Sequence, residues 1–271
     1  MFLRSWLLVL FILLAATPLM ALPLHPAEEQ AQAYLQAQDW QAAHDAFVVA
    51  AKAGSPSAMA WLGWMHEEGR GVESNPTLAV IWYTSAVEAG AEHLALKLAW
   101  LFLGGDTAIR NRDLAEHWFA YAIERGDLDA HVALSSVIIA DALGGLAVQR
   151  VHQAREWLLT AHQGGHEVAK LFLARLYLEG IGGHPVDYEQ AYYYAQLGAE
   201  QGHGQMQGWL ALIYKEGLGR ESDMLSAAQW ALLAAATGDP LGLQLLHSLE
   251  LQLSPAQLAE ARQRAMAWAG Q

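Results

Sequence analysis

One short phrase recurs along this chain at nearly constant spacing, and its period limits what the chain can fold into. The phrase reads "WYTSAVEAGAEH" at residues 82–93 and "WFAYAIERGDLD" from residue 118. Its glycine stands at six positions, which we call the repeat glycines: Gly54, Gly90, Gly126, Gly165, Gly202 and Gly238. The steps between them are 36, 36, 39, 37 and 36 residues. A fixed period in this range is typical of solenoids built from stacked helical pairs.

Residues that precede the repeat glycines fall on one face of a predicted helix. The residue eleven positions before each repeat glycine is always alanine: Ala43, Ala79, Ala115, Ala154, Ala191 and Ala227. The residue eight positions before is aromatic in all copies after the first: Trp82, Trp118, Trp157, Tyr194 and Trp230. Spacings of three and four residues place these side chains on the same helical face. We therefore predict a helix whose small residues allow close approach of a neighbouring helix.

The ends of the helices are marked as regularly as their faces. Asp or Asn precedes five of the six repeat glycines by fifteen residues and predicts helix N-caps, with Arg150 as the exception: Asp39, Asn75, Asn111, Asp187 and Asp223. Fifteen residues after the repeat glycines, four further glycines are predicted to end the other helix in the left-handed conformation: Gly69, Gly105, Gly180 and Gly217. Each unit is therefore predicted to be helix, turn, helix, turn.

With these signals in place, the chain resembles the Sel-one-like repeat family, a branch of the tetratricopeptide-like helical repeats. The resemblance rests on "AMAWLGWMHEEGRGVESNPTLAVIWYTSAVEAG", residues 58–90, and on its echoes from residues 169 and 206. It implies a right-handed superhelix with a concave face that holds other proteins, and it brings no catalytic residues. The third unit departs from the pattern, with Asp141 at the turn glycine position and Arg150 at the cap position.

The predicted architecture is an all-α, right-handed α-solenoid of helix-turn-helix repeats of about 36 residues, a TPR-like superhelix. We expect residues 1–21 to be a signal peptide and residues 22–54 to form an N-terminal half-repeat or cap. Five repeat units are expected over residues 55–240, followed by C-terminal capping helices over residues 241–271. Ser254 and Gln257 have the spacing of a capping box at the start of the last helix.

The N-terminus is typical of an export signal. Arg4 precedes an apolar run over residues 6–16, and Pro18 and the small residue Ala21 follow. This pattern predicts a secretory signal peptide that is cleaved near Ala21. The alternative is a retained membrane anchor, but spanning a bilayer takes about 20 apolar residues and this run is shorter. We therefore expect export to the periplasm or secretion, without stable membrane insertion after cleavage.

Charge and composition exclude several classes of function. The formal net charge is −13, which disfavours binding to nucleic acid because phosphate backbones are repelled. The chain has no cysteine, so neither disulfides nor a thiol nucleophile can form. His162 and His166 have a metal-binding spacing, but Gly164 and Gly165 between them should end the helix. We predict no enzyme activity, no metal and no cofactor.

Large aromatic residues at less regular positions are the candidate binding residues. They lie on the first helices of the units, seven or ten residues after a repeat glycine: Trp61, Trp64, Trp100, Phe172 and Trp209. We predict that the exposed members line the concave face and anchor a partner. The alternative is that they fill space between units. Four nearby carboxylates would form an acidic rim or simply be solvated: Glu67, Glu68, Glu179 and Glu216.

These observations predict an exported, non-catalytic scaffold that binds a protein or peptide. The alternative prediction is a carbohydrate or cell-wall binding factor in polysaccharide export or envelope maintenance. The sequence leaves the identity of the partner, the pathway and the oligomeric state open.

Overall fold

The structure is a computed structural model that describes residues 25–270, so the predicted signal peptide lies outside the described residues. Residues 25–270 form α-helices joined by turns and three short 3₁₀ helices, and they contain no strand. The helices are α1 Pro26–Gln36, α2 Trp40–Lys52, α3 Pro56–Glu68, α4 Pro76–Glu88, α5 Ala95–Gly104, α6 Arg112–Glu124, α7 Leu128–Leu143, α8 Val151–Gln163, α9 Ala169–Glu179, α10 Tyr188–Glu200, α11 Gly204–Glu216, α12 Met224–Ala236, α13 Pro240–Glu250 and α14 Pro255–Ala269. No helix in this part of the chain is both long enough and apolar enough to cross a bilayer.

The chain forms two compact units, of which the first ends at Trp118 and the second begins at Phe119. In the described part of the first unit, α1 packs on α2, α2 on α3, and α3 on α4. In the second unit, α7 packs on α8, α9 on α10, and α11 on α12. Helices that are consecutive in sequence are therefore also neighbours in space, as the repeat period predicts.

Alanine occupies the most buried position of the predicted packing face. The six alanines that precede the repeat glycines by eleven residues are at most 1% exposed: Ala43, Ala79, Ala115, Ala154, Ala191 and Ala227. A larger side chain at such a position would force the helices apart and strain the core. Of the aromatic residues three positions further along, Trp118 and Tyr194 are buried and the others are partly buried. The predicted packing face is therefore confirmed.

The five predicted N-caps are confirmed by hydrogen bonds from backbone N–H groups to their side chains. The acceptor oxygen of each cap lies 3.0 or 3.1 Å from its donor nitrogen: Asp39 with Ala42, Asn75 with Leu78, Asn111 with Leu114, Asp187 with Gln190 and Asp223 with Ser226. Arg150 does not cap α8, which instead follows a 3₁₀ turn over Val148–Arg150. The capping box of Ser254 and Gln257 also forms, at the start of α14.

The glycine turns follow the sequence prediction with one exception. All six repeat glycines have a φ between 79° and 112°, in the left-handed region that favours glycine. The left-handed prediction also holds at Gly69, Gly180 and Gly217. It is wrong for Gly105, whose φ of −71° and ψ of −168° are extended. A Cβ at Gly105 would lie 2.3 Å from the carbonyl oxygen of Leu101, so close approach requires glycine there.

The third unit is irregular in the way its sequence indicates. Helix α7 continues through Asp141 to Leu143, because the glycine that ends the equivalent helices is missing. The connection that follows contains Ala147 in the left-handed conformation, with a φ of 51°. Leu143 and Leu146 are exposed in this segment.

A buried histidine in the first unit has surroundings that disfavour its protonated form. His66 lies in α3, and its ring packs edge-on against that of His44 at a centroid distance of 5.5 Å. Burial, followed by the charge that His44 would carry, lowers the pKa of His66 from its ordinary value. Its Nδ1 is buried without a hydrogen-bond partner among the described residues.

We expect the Asn75→Ala variant to lower the free energy of unfolding by about 1 kcal/mol, because it removes the N-cap of α4. The measurement is urea unfolding followed by tryptophan fluorescence. Asn75→Asp is the matched control, since it keeps an acceptor oxygen at the same place. Equal stability of the alanine and aspartate variants would contradict the assigned cap.

We expect the free energy of unfolding to fall as the pH is lowered below the ordinary histidine pKa, because the unfolded chain then binds a proton that folded His66 resists. Above that pKa both states are neutral and the contribution is fully present. Urea unfolding between about pH 7.5 and about pH 5.5 measures the loss, which should be smaller in His66→Gln. An unchanged pH dependence in this variant would show that His66 is not responsible.

Candidate functional site

The first unit contains a cavity of about 830 Å³ that is lined mainly by aromatic and aliphatic side chains. Its walls come from α1, the start of α2, α3, α4, the segment that leads into α5 and the first turn of α5. The lining residues are Leu35, Trp40, Pro56, Ser57, Ala60, Trp61, Trp64, Tyr83, Gly90, Ala91, His93, Leu94 and Lys97. This volume lies within the range of about 300–1,000 Å³ that is typical of ligand pockets.

Three tryptophans form the aromatic wall of this cavity. Trp61 and Trp64 lie three residues apart on α3, so both project from the same helical face. Their ring centroids are 5.6 Å apart in an edge-on arrangement, and the ring of Trp40 lies 6.1 Å from that of Trp64. Buried Phe47 stacks on Trp61 at 5.6 Å with an interplanar angle of 10°. Contacts with Phe47 and with one another therefore fix the positions of the tryptophan rings.

Trp40 is fixed by the turn that follows α3. The backbone of Gly71, with a φ of 74°, lies directly against that of Trp40, and a Cβ at Gly71 would come within 2.4 Å of the Trp40 carbonyl oxygen. The guanidinium of Arg70 lies 5.5 Å from the Trp40 ring centroid. A glycine turn of one repeat therefore positions an aromatic residue of the preceding helical pair.

Two residues that line the cavity, Tyr83 and Lys97, are joined through Glu67, which does not line it. Tyr83 packs so closely on α3 that a Cβ at Gly63 would lie 2.7 Å from its ring. The Tyr83 hydroxyl donates to Glu67 Oε2 at 2.7 Å, and Lys97 Nζ lies 2.9 Å from the same oxygen. Burial, followed by the hydrogen bond to Glu67, raises the pKa of the Tyr83 hydroxyl well above its usual range. Tyr83 therefore stays neutral.

The polar groups on the cavity wall are mostly hydrogen-bond donors. Lys97 is its charged residue: its side chain is 39% exposed, and Nζ lies 5.2 Å from the Tyr83 ring centroid. Among the residues that the structure describes, none that lines the cavity carries a carboxylate. Trp40, Trp61 and Trp64 each add an indole N–H group, which can only donate a hydrogen bond.

The structure brings two of the five predicted aromatic residues together and separates the others. Trp61 and Trp64 share the cavity, whereas Trp100 on α5 is 44% exposed and does not line it. Phe172 is half-buried on α9 of the second unit. The sequence prediction missed Trp40, although it directly follows the predicted cap Asp39, because only the packing of α2 on α3 brings it to Trp64.

Trp209 requires a correction to the predicted set. It is only 6% exposed, since α11 contacts α10, α12 and α13. The whole segment from Met206 to Ala211 is consequently buried. Trp209 fills space inside the second unit, which was the alternative for these residues, and does not offer its ring to a partner.

Three of the four carboxylates of the predicted acidic rim form ion pairs with neighbouring lysine or arginine side chains. Glu67 binds Lys97, while Glu179 accepts from Arg175 Nε at 3.1 Å. Glu216 lies 2.6 Å from Lys215 Nζ. Each of these carboxylates therefore has a cation beside it, and Glu68 is simply exposed.

The second unit has a smaller cavity, of about 580 Å³, with polar walls. Arg155 donates to His184 Nε2 at 3.3 Å and also binds Glu156, while His184 Nδ1 lies 2.9 Å from the Pro185 carbonyl oxygen. Burial lowers the pKa of His184, consistent with a neutral ring that accepts from Arg155. Because its polar groups bind one another, we assign no ligand to this cavity. Within residues 25–270, no three His, Asp or Glu side chains cluster as metal ligands would.

Comparison with known proteins agrees with this architecture. A family model of the Sel1 repeat matches residues 56–90, 94–127, 168–203 and 205–239, which together make up more than half of the chain. The unmatched stretch between the second and third matches contains the irregular third unit. None of the curated proteins matches the sequence significantly.

Two solved structures are similar over most of the chain. A protective antigen of uropathogenic Escherichia coli strains with an SLR fold is 27% identical, with a TM-score of 0.67 over 89% of this chain and 52% of the antigen. A Sel1 repeat protein from Oxalobacter formigenes is 25% identical, with a TM-score of 0.60 over 89% of this chain and 97% of that protein. The chain thus spans about half the length of the antigen. Together with the period, caps and packing described above, these matches show that the chain is an all-α repeat solenoid and belongs to the Sel1 repeat family.

Proposed function

We propose that this protein is an exported, non-catalytic scaffold that binds a segment of a partner protein in the aromatic cavity of its first unit. The Sel1-repeat fold generally mediates protein–protein interactions, and the family is generally non-catalytic. The observation that carries the proposal is the cavity itself, which three tryptophans line with apolar ring surface and indole N–H donors.

The composition of the cavity is that of an interaction site. Tryptophan is enriched among the residues that contribute most to the free energy of binding, because its ring buries a large area and loses little conformational entropy. The rings of Trp61 and Trp64 are already positioned by their neighbours. Binding a partner side chain there would therefore require little ordering of the protein.

The same composition favours a protein segment over a glycan. Sugar hydroxyl groups both donate and accept, so a glycan site needs side-chain acceptors as well as donors. Glu67, which contacts the lining residues Tyr83 and Lys97, is bound to both of them. An apolar side chain flanked by backbone carbonyl groups matches aromatic rings and indole donors better.

Export is the second part of the proposal and rests on the sequence. The basic start, the apolar run over residues 6–16 and the small residue Ala21 have the order of a cleavable signal. A net charge of −13 is compatible with an exported protein that avoids nucleic acid and anionic lipid. Because disulfides cannot form without cysteine, stability would come from repeat packing alone.

We expect a photo-crosslinking residue at Ser57, on the cavity wall, to capture a protein partner in cells that express the full chain. The same residue at exposed Glu88, outside the cavity, is the matched control and should not capture it. Trp64→Ala should reduce capture at least about tenfold, because hot-spot truncations cost about 2 kcal/mol or more. Thermal unfolding of this variant checks that it is folded.

Capture that is equal at Ser57 and Glu88, or unaffected by Trp64→Ala, would overturn the proposed binding site. Crosslinking of bound glycan in place of protein would favour the carbohydrate-binding alternative. Both outcomes are read by mass spectrometry of the crosslinked species.

We expect the mature protein to begin at Leu22 and to be released with the periplasmic or secreted fraction, because the signal peptide is removed after Ala21. Mass spectrometry of the N-terminal peptide, from fractionated cells, measures both properties. Replacing Ala21 by Arg should block cleavage and leave the precursor in the membrane fraction. A cytoplasmic protein that begins at Met1 would contradict the proposal.

A further inference from the structure

We infer that the aromatic cavity binds the C-terminal end of its partner: a large apolar terminal side chain against Trp61 and Trp64, with the chain-terminal carboxylate on Lys97. This inference rests on the proposed function and specifies its ligand. It follows from the charges on the cavity wall, from the geometry around Lys97 and from the net charge of the chain.

The charge on the cavity wall differs from that of the rest of the protein. The chain has 28 acidic and 15 basic residues, yet among the described residues the cavity is lined by Lys97 and by no carboxylate. His93 and Ser57 also line it and can donate hydrogen bonds. A ligand that carries a negative charge beside an apolar group therefore has a complementary place in this cavity.

Lys97 lines the cavity, and its ammonium group is fixed by its neighbours. Glu67, on α3, holds Nζ through both oxygens, at 2.9 and 3.1 Å, while Tyr83 fixes Glu67 from α4. An ammonium group has three donors, so an N–H remains for a ligand. The Lys97 side chain is 39% exposed and that of Glu67 is 24% exposed, which makes the lysine the more accessible partner.

A cationic ligand is the main competitor, because tryptophan rings also attract cations. Two observations disfavour it in this cavity. Glu67, the carboxylate beside Lys97, is already paired with that lysine, and no carboxylate among the described lining residues could neutralise a second cation. In addition, Phe47 covers one face of the Trp61 ring, and the Arg70 guanidinium lies beside the Trp40 ring. A cationic ligand could not occupy these positions.

A chain terminus fits better than an acidic stretch within a chain. The cavity offers one lysine, and a terminus brings one carboxylate directly attached to its last residue. A run of Asp or Glu would bring further charges toward a protein with a net charge of −13. We therefore assign the terminal carboxylate to Lys97. Binding of a side-chain carboxylate there is the alternative that the experiment tests.

The test uses the full chain and a library of peptides with four randomised C-terminal residues, tethered by their N-termini and synthesised both as free acids and as amides. The affinity of each selected peptide is then measured by tryptophan fluorescence for the parent protein and for the Lys97→Gln, Lys97→Arg and Trp64→Ala variants. Lys215→Gln is the matched control, since Lys215 pairs with Glu216 in the second unit, away from this cavity.

We expect selected peptides to end in a large apolar residue and to bind about ten- to a hundredfold more weakly as amides, as loss of a charged hydrogen bond requires. Lys97→Gln should bind acid and amide forms equally, Lys97→Arg should restore the preference, and Lys215→Gln should keep it. Thermal unfolding identifies any variant that fails to fold. If Lys97→Gln does not fold, acid and amide peptides are compared on Lys97→Arg and the parent protein.

Two outcomes separate failure of this inference from failure of the proposed function. Peptides that depend on Trp64 but bind equally as acids and amides, or through an internal Asp or Glu, would overturn the terminal-carboxylate inference and leave peptide binding intact. If no selected peptide depends on Trp64, both are overturned.

Discussion

Close contact between helices at the alanine positions is the constraint on which the rest of this structure depends. Six alanines spaced by the repeat period have almost no exposed surface, so the helices that carry them pack against their neighbours through small side chains. That separation determines the space left for the aromatic residue one turn later. It also explains why glycine turns are needed, because helices this close leave room only for short connections.

Equivalent sequence positions acquire different roles in the two units. Trp61 and Trp209 both follow a repeat glycine by seven residues. Trp61 borders a cavity because the helices before α3 leave a gap that Trp40 only partly closes, whereas Trp209 is enclosed where α11 contacts α10, α12 and α13. Lys97 occupies the same position in the repeat between them and provides the charge of the cavity. The same repeat position therefore holds the proposed binding residue Trp61, the charged residue Lys97 and the packing residue Trp209.

Local signals in the sequence determined what could be predicted. The period, the five Asp and Asn caps and the buried alanines follow from helix geometry within one repeat, so the helices were found close to their observed bounds. The candidate site was predicted only in part. Trp40 and the Tyr83–Glu67–Lys97 group come together through contacts between helices, and the extended Gly105 depends on the carbonyl group of Leu101. Such contacts leave no periodic trace in the sequence.

The contact between Gly71 and Trp40 has a consequence for how this site could arise. Trp40 belongs to the helical pair that precedes the first segment matched by the Sel1 model, whereas Trp61, Trp64 and Gly71 lie within that segment. The cavity is therefore a property of the junction between the N-terminal helical pair and the first matched repeat, completed by the start of the second matched repeat. Duplicating one repeat would copy its tryptophans without copying the cavity, so repeat proteins of this kind can lengthen while keeping a single copy of such a site.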